Sequence, residues 1–438
     1  MKKFLVCLCV AGLMVSSGSP LFAGNIDHLS NLSAEWIRTM NRNAATDSAD
    51  AVVYNPAGVM EMENGIYGSF SIQYCDKDYD NKVNGETLSQ DEPSIIPSLF
   101  GIYKKDRWAA FGAFTVPHGG GEVRYNDGNA TTRISGWSII NLINSQSPIP
   151  GLTLYDTIKN ERFTAESYYL GFTLGGAYKI NDMLSVSLGT RYIDAYNDID
   201  LSLRVQPSAL GAGVPFNQVD RTAKLKYEDD AEGWCGIIGV NIAPTDKLNI
   251  GIKYETKTTL NFEYDVKQDT VTGFPSGLGA AQGVIDGTKH RRDLPALFSV
   301  GVSYKFTPKI RVETGLTYYF NEDADWDGDE DVVDDGYEAG IAFEYTFNKK
   351  MKASVGYLYT DDGMHAVDML AAVPQLDSHS VCGGVAYEAV PGLILNFGFL
   401  NSFYRDDSYV DISSGTALDI EFKKNAFVAA CGIQYKFF

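Results

Sequence analysis

From about residue 64 onward, apolar and polar positions alternate. In "LFSVGVSYKF" one parity holds Phe298, Val300, Val302, Tyr304 and Phe306, and the other Leu297, Ser299, Gly301, Ser303 and Lys305. "IRVETGLTYYF" sets Ile310, Val312, Thr314, Leu316, Tyr318 and Phe320 against Arg311, Glu313, Gly315, Thr317 and Tyr319, and "YEAGIAFEYTF" (337–347) repeats the plan. Period two sustained over ten residues specifies strands with one apolar and one polar face. Tight turns are predicted at Lys105-Asp106, Asn181-Asp182, Pro244-Thr245-Asp246, Thr307-Pro308, Asn348-Lys349 and Val390-Pro391-Gly392. Longer polar, acidic or Gly-rich loops fall at about 78–93, 119–161, 202–220, 265–290, 321–332, 361–374 and 406–420. Six tight turns alternating with seven long loops predict fourteen strands, with both chain ends on the tight-turn rim.

Short turns on one rim and long loops on the other is the pattern of an outer-membrane barrel. A soluble sandwich also alternates, but its strands run about five or six residues. Here the runs are longer and end in aromatics such as Tyr304 and Phe306, Tyr318 and Phe320, and Tyr345 and Phe347. The chain holds 26 Tyr and 23 Phe, enough for an aromatic girdle at each membrane interface. The predicted fold is therefore all-β, a transmembrane antiparallel barrel of about 14 strands.

The beginning of the chain is different. Lys2 and Lys3, the apolar run Phe4 to Val15 and the small residues Ser16 to Ala23 read as a secretory signal peptide over 1–23. After it nothing approaches 18 consecutive apolar residues, which excludes a helical membrane protein. The formal net charge of −20 argues against nucleic acid as a partner. Cys75, Cys235, Cys382 and Cys431 are widely spaced and show no metal-binding pattern. Cys75 and Cys431 would share neighbouring strands if the sheet closes, which puts a bond between them within reach.

With the apolar parity facing lipid, the other parity lines the lumen, and much of it is small: Gly171, Thr173 and Gly175; Ser185, Ser187 and Gly189; Ser299, Gly301 and Ser303; Ser354 and Gly356. Side chains can fill a barrel of eight strands but not one of fourteen. The lumen must hold water, a plug or a ligand. Arg191, Lys253, Glu255, Arg311, Glu313 and Glu344 add charge to the wall, for solvation or ion pairing. Residues 24–62 precede the first strand on the tight-turn side and can fold inward as the plug. Within them "SAEWIRTMNRNAA" (33–45) predicts a short helix capped by Ser33, with Trp36, Ile37 and Met40 as its apolar side. Pro56 restricts Asn55, and Gly58 allows a reversal toward the first strand.

"RNAATDSADAVVYNPAGV" (42–59) resembles the amino-terminal hatch of the FadL family, outer-membrane transporters for long-chain fatty acids and other hydrophobic compounds. "LPALFSVGVSYKFTPKIRVETGLTYYFNEDADWDG" (294–328) resembles family sequences as well. The resemblance implies a hatch plugging the lumen, with its motif on Asn55, Pro56, Ala57 and Gly58. It also implies a kinked third strand, placed on Pro117, His118, Gly119, Gly120 and Gly121 of "FTVPHGGGEVRYN" (114–126), where ladder pairing should fail. The family mechanism implied is passive uptake into an apolar pocket over the hatch, then lateral exit beside the kink into outer-membrane lipid. The domains expected are signal 1–23, hatch 24–62 and barrel 63–438, in a monomer of the Gram-negative-type outer membrane without cofactor or catalytic metal.

A general diffusion porin is the alternative. "DADWDGDEDVVD" (323–334) also spaces Asp323, Asp325, Asp327, Gly328, Asp329 and Asp334 like a calcium loop, although flanking helices are absent and a solvated acidic loop has the same composition. No nucleophile motif accompanies the five histidines, so an enzyme is not expected.

Overall fold

The computed structural model describes residues 30–147, 151–213 and 219–437. The expected signal peptide, the first residues of the expected hatch and Phe438 lie outside them. Strands follow the alternation: β1 (Gly65–Val83), β2 (Glu86–Gln90), β3 (Ser94–Lys105), β4 (Trp108–Tyr125), β5 (Tyr155–Lys179), β6 (Leu184–Pro207), β7 (Arg221–Thr245), β8 (Leu248–Glu255) and β9 (Asn261–Val271). They continue with β10 (Lys289–Arg291), β11 (Ala296–Thr307), β12 (Ile310–Phe320), β13 (Gly336–Asn348), β14 (Met351–Asp361), β15 (Ser378–Val390), β16 (Leu393–Tyr404), β17 (Asp407–Asp411) and β18 (Leu418–Lys436). Fourteen of them form a closed antiparallel barrel, and β2, β9, β10 and β17 extend it on the loop side. Closure is made by β1 against β18, from Tyr67↔Lys436 to Val83↔Ile420. All six predicted tight turns lie between consecutive barrel strands on one rim.

The barrel wall is uneven. A strand crosses a bilayer in about 9–11 residues, yet β5, β6 and β7 have 25, 24 and 25 residues and rise far beyond the loop-side rim. β8 has only eight residues. After it, residues 256–262 leave the ladder with β7 before β9 resumes it, between Ile237↔Glu255 and Asp230↔Glu263. Leu260 and Phe262 bury there among Tyr169, Ile193 and Ala195.

Side-chain parity is as predicted. Phe70, Leu174, Leu188, Val355, Phe397 and Phe399 are exposed on the outer surface, while Ser71, Thr173, Ser187, Ser299 and Ser354 are buried inside. Tyr304–Phe306, Tyr345–Phe347 and Tyr435–Phe437 stack edge to face near the tight-turn rim, 4.8, 4.9 and 4.9 Å between ring centres. No bond joins Cys75 to Cys431: all four described cysteines are free. Their strands do pair, but Cys75 opposes Val428 and Cys431 opposes Ile72. Cys75 is buried toward the lumen and Cys431 is exposed, so the sheet itself separates them.

Among the described residues three α-helices lie inside or above the tube: α1 (Ala34–Thr39), α2 (Ala51–Tyr54) and α3 (Ala130–Ser145). The first is shorter than the predicted 33–45. Ser33 caps it by accepting from the Trp36 N–H, as expected, but Met40 turns left-handed (φ 49°) and ends it. Helix α3 occupies part of the predicted loop 119–161 and begins with a capping box of Asn129 and Thr132. Its Ile139, Ile140 and Ile143 join Tyr125, Phe163, Leu201 and Leu225 in an apolar cluster.

Candidate functional site: a plugged lumen and a broken wall

The amino-terminal segment fills the lumen at the level of the small wall residues. A β-carbon at Gly301 would lie 2.6 Å from the Asn43 carbonyl carbon, one at Gly398 2.9 Å from the Arg38 nitrogen, and one at Gly432 2.9 Å from Ala34 Cβ. The small parity therefore makes room for a second layer of backbone. After α2 comes Asn55 and then a 3₁₀ turn, Pro56–Glu61, with proline at its first position, where a missing N–H costs nothing. Asn55 Nδ2 donates to the Ala45 carbonyl (3.0 Å) and to Asn241 Oδ1 on β7 (2.7 Å). Gly58 is required for space: a β-carbon there would overlap the Ala45 carbonyl oxygen and sit 2.8 Å from Asn55 Cγ. It is part of the 3₁₀ turn, and the chain enters β1 later, at Gly65 (φ 155°).

Ion pairs tie the segment to one wall. Arg38 meets Glu344 at 2.7 Å and donates to Ser354 Oγ at 2.8 Å. Arg42 meets Asp50 at 2.7 Å and Asp47 at 2.9 Å, and Asp47 in turn meets Lys352 (3.0 Å) and Arg311 (3.2 Å). Of the charges singled out in the sequence, Arg311, Glu313 and Glu344 face this network; the Glu313 carboxylate accepts from the Ala44 N–H at 3.2 Å. Arg191, Lys253 and Glu255 form a second cluster, with Arg191–Glu255 2.9 Å and Lys253–Glu255 2.6 Å. Sequence reasoning missed Arg38, Arg42, Asp47 and Asp50. Their signal was there to find, since charges of both signs in a segment destined for burial need partners. Glu35 is the weakly satisfied member: Oε1 accepts from Asn396 Nδ2 at 3.0 Å, while Oε2 is buried without a hydrogen bond. Burial, then the nearby Asp50, pushes its carboxyl up to about 7.

On the loop side of α1 lie two adjacent cavities of about 520 and 580 Å³, open solvent included, whose linings share Ser30, Trp36, Met40, Glu338 and Leu358. One reaches Arg191, Lys253 and Tyr319; the other reaches Cys75, Leu400, Val428, Lys77 and Lys424. The shared lining sets Trp36, Met40 and Leu358 beside the carboxylate of Glu338 and the Ser30 hydroxyl, so the chamber is mixed throughout and not the apolar pocket expected.

The predicted kink residues lie inside β4, the third barrel strand, which runs on past them to Tyr125. Pairing with β3 extends only from Lys105↔Trp108 to Leu99↔Phe114. Pairing with β5 continues, but its register shifts between Thr115 and His118 and again between Gly119 and Gly121. Gly119 (φ 70°) and Gly120 (φ 89°) take left-handed conformations that a side chain would strain. Val116 and His118 are buried, with the His118 ring 4.6 Å from that of Tyr169. Val116 also belongs to the same apolar cluster as Val52, Val53 and Val59 of the amino-terminal segment, so residues flanking the two predicted sites share one packed core.

The acidic loop pairs with arginines. Asp325 meets Arg291 at 3.1 Å, Asp329 meets Arg292 at 2.8 Å, and Asp327 accepts from the Arg291 N–H at 2.8 Å. Among the described residues no group of three or more His, Cys, Asp or Glu is arranged to hold a metal ion.

A closed barrel with a lipid-facing apolar surface, a stoppered bore and a local break in its strand pairing defines an outer-membrane transport protein. The sequence matches the family model of outer membrane protein transport proteins (OMPP1/FadL/TodX) over residues 164–437, and the chain belongs to that family. Its members are transport channels and not enzymes. Among solved structures, a Pseudomonas aeruginosa FadL homologue is similar over 95% of this chain and 100% of its own, at 15% identity and a TM-score of 0.66. The Ralstonia pickettii toluene transporter TbuX is similar over 94% and 100%, at 16% identity and 0.63. The P. putida toluene transporter TodX is similar over 96% and 99%, at 14% identity and 0.60. Comparison with curated proteins gave no match.

Proposed function

We propose that this chain carries long-chain fatty acids or other hydrophobic compounds, aromatic hydrocarbons among them, passively across the outer membrane. The reading treats residues 1–23 as a signal peptide, 24–62 as the hatch and 63–438 as the barrel, acting as a monomer. Cargo gathers beneath the apolar cluster formed by α3 and the tall strands, and settles in the chamber over Trp36 and Met40. A shift of the hatch around Asn55–Gly58 releases it toward Pro117–Gly121, and it leaves sideways into outer-membrane lipid. The drive is partition: an acyl chain gains about 0.8 kcal/mol for each methylene it buries.

The observation that carries this reading is the filled bore beside a strand whose backbone pairing with one neighbour stops partway. A sieve needs an open bore, and what speaks against one is that Asn43, Ala44, Ile37 and Arg38 pack inside the wall against Gly301 and Gly398. Two measurements test it. The protein in planar bilayers is expected to be nearly silent, and steady conductance would turn the reading into a porin. Uptake of a labelled long-chain fatty acid is expected to fall in Asn55→Ala with Pro56→Ala while the barrel still assembles; unchanged uptake removes the hatch from the mechanism.

A further inference from the structure

On the inner face of the tall strands the apolar surface is interrupted by a polar row. Ser167 on β5, Asn197 on β6 and Asp229 on β7 stand side by side in register, and His290 on β10 completes the row. All four side chains are buried. Ser167 Oγ donates to Asn197 Oδ1 (2.7 Å), Asn197 Nδ2 donates to Asp229 Oδ1 (2.7 Å), and Asp229 Oδ2 lies 3.4 Å from His290 Nε2. Toward the loops, Ala165, Ile199 and Tyr227 belong to the apolar cluster that includes α3. Toward the membrane, Tyr169, Ile193 and Ala231 belong to the cluster with Leu260 and Phe262. An apolar chain that moves down this wall from the first cluster to the second has to cross the row.

The charge of the row is set by Asp229. Strand β7 climbs from the tight turn at Thr245 to Arg221, and a strand crosses a bilayer in about 9–11 residues, so Asp229 and its neighbour His290 stand above the lipid. Burial pushes the Asp229 carboxyl up to about 7; the Asn197 donation and Arg292 oppose the rise, and Asp230 adds to it. Burial, then Arg292, pushes His290 down to about 4, so the imidazole is neutral near neutral pH and supplies no counter-charge. Arg292 is engaged by the Trp326 carbonyl and by Asp329 (2.8 Å). The phenols of Tyr169, Tyr227 and Tyr264 are the other titratable groups around the carboxyl. A protonated Asp229 carries no charge and can donate to His290 Nε2, so hydrocarbon laid across it displaces little water. An ionised one holds water, and stripping that water from a buried carboxylate without a cation in contact is costly.

We propose that Asp229 is a proton-controlled step in the cargo path: protonated, the row lets an apolar chain pass between the two clusters, and ionised, it stops it. Low external pH opens the path and rising pH closes it. This rests on the transport reading above and adds a regulation that acts before the chamber is reached.

The test compares uptake of a labelled long-chain fatty acid by the unaltered chain and by Asp229→Asn, whose amide keeps the shape and cannot ionise, in cells that depend on this chain for uptake. The ratio between the two cancels the titration of the cargo and of every other group. With the carboxyl at about 7, the variant-to-unaltered ratio is expected to be about 1 at pH 5.5, about 2 at pH 7 and about tenfold or more at pH 8.5. A ratio that stays flat across this range overturns the step and leaves the transporter intact. Absence of uptake by the unaltered chain at every pH overturns both. Asn197→Ala supplies a second arm. It removes the hydrogen bond that supports the charged form, so the pH at which uptake halves is expected to move upward by at least about half a pH unit. An unmoved midpoint overturns the proposal, and this arm decides alone if Asp229→Asn does not assemble.

Discussion

At the scale of single residues, the lumen is shaped by what has been left out. The sequence shows that one strand parity is small, but a serine or glycine beside water reads the same as one beside backbone. Only the fold shows that Gly301 faces the Asn43–Ala44 peptide. Gly301→Val is accordingly expected to disturb the plug and not the barrel. Overpacking of a filled interior costs about 1–3 kcal/mol, and the effect should appear as frequent channel openings in a protein that still assembles and resists detergent. Asn55 gives the complementary case. Asn55→Ala deletes both donations, to Ala45 and to Asn241, and loss of such buried hydrogen bonds costs about 1–3 kcal/mol. Asn241 Oδ1 still accepts from Asn249 Nδ2 at 2.9 Å, which places the loss on the segment's side. Openings should again rise, and wild-type silence in the variant would show that the side chain does not hold the plug.

At the scale of elements, periodicity was informative where a strand crosses lipid and poor elsewhere. Ten-residue alternation located β11, β12 and β13 almost to the residue, because water-exclusion on one face and small lumenal residues on the other impose period two. It could not reveal α3, whose residues sit in a stretch read as loop and whose apolar side is defined by strands distant in sequence. The helix after Ser33 was overextended because Met40 turns left-handed and ends it, after which Arg42 pairs within the segment with Asp47 and Asp50 and Asp47 reaches Arg311 on the wall. Helix α1 also carries a pH dependence. The Glu35 carboxyl lies at about 7 in place against 4.5 when free, so the seated segment holds the proton more tightly than the released one. Seating is then favoured at low pH and weakens as pH rises from about 4.5 to about 7, by an amount on the order of a few kcal/mol. Asp50 opposes the charge and Arg42 and Arg38 support it without removing this sign. Channel openings should increase between about pH 5 and pH 7, and Glu35→Gln should flatten that rise. A profile unchanged by the substitution would assign the dependence to another group.

At the scale of the whole molecule, the count of fourteen strands followed from turn lengths alone, because six short turns fix one rim. The same logic was blind to height, since long loops and strands that continue above the membrane have similar compositions. Hence β5 and β6 outgrew their predicted loop-side ends, and the inward step at residues 256–262 between β8 and β9 went unseen. What the barrel does fix is a sharp contrast between its two surfaces, and that contrast is measurable. Phe399 and Leu400 are consecutive on β16, yet Phe399 is 56% exposed on the outer face and Leu400 only 4% exposed toward the lumen. Phe399 lies near the middle of its twelve-residue strand, where an arginine facing lipid costs about 2–4 kcal/mol. Leu400 borders the chamber, so Leu400→Gln places its amide beside a cavity and not in hydrocarbon. In urea titrations of folding into vesicles, Phe399→Arg should lose stability in that range. Leu400→Gln should lose less in the same titration and act mainly on cargo binding. Equal losses at the two positions would mean that the outer surface does not meet lipid there, and the membrane placement of this wall would have to be redrawn.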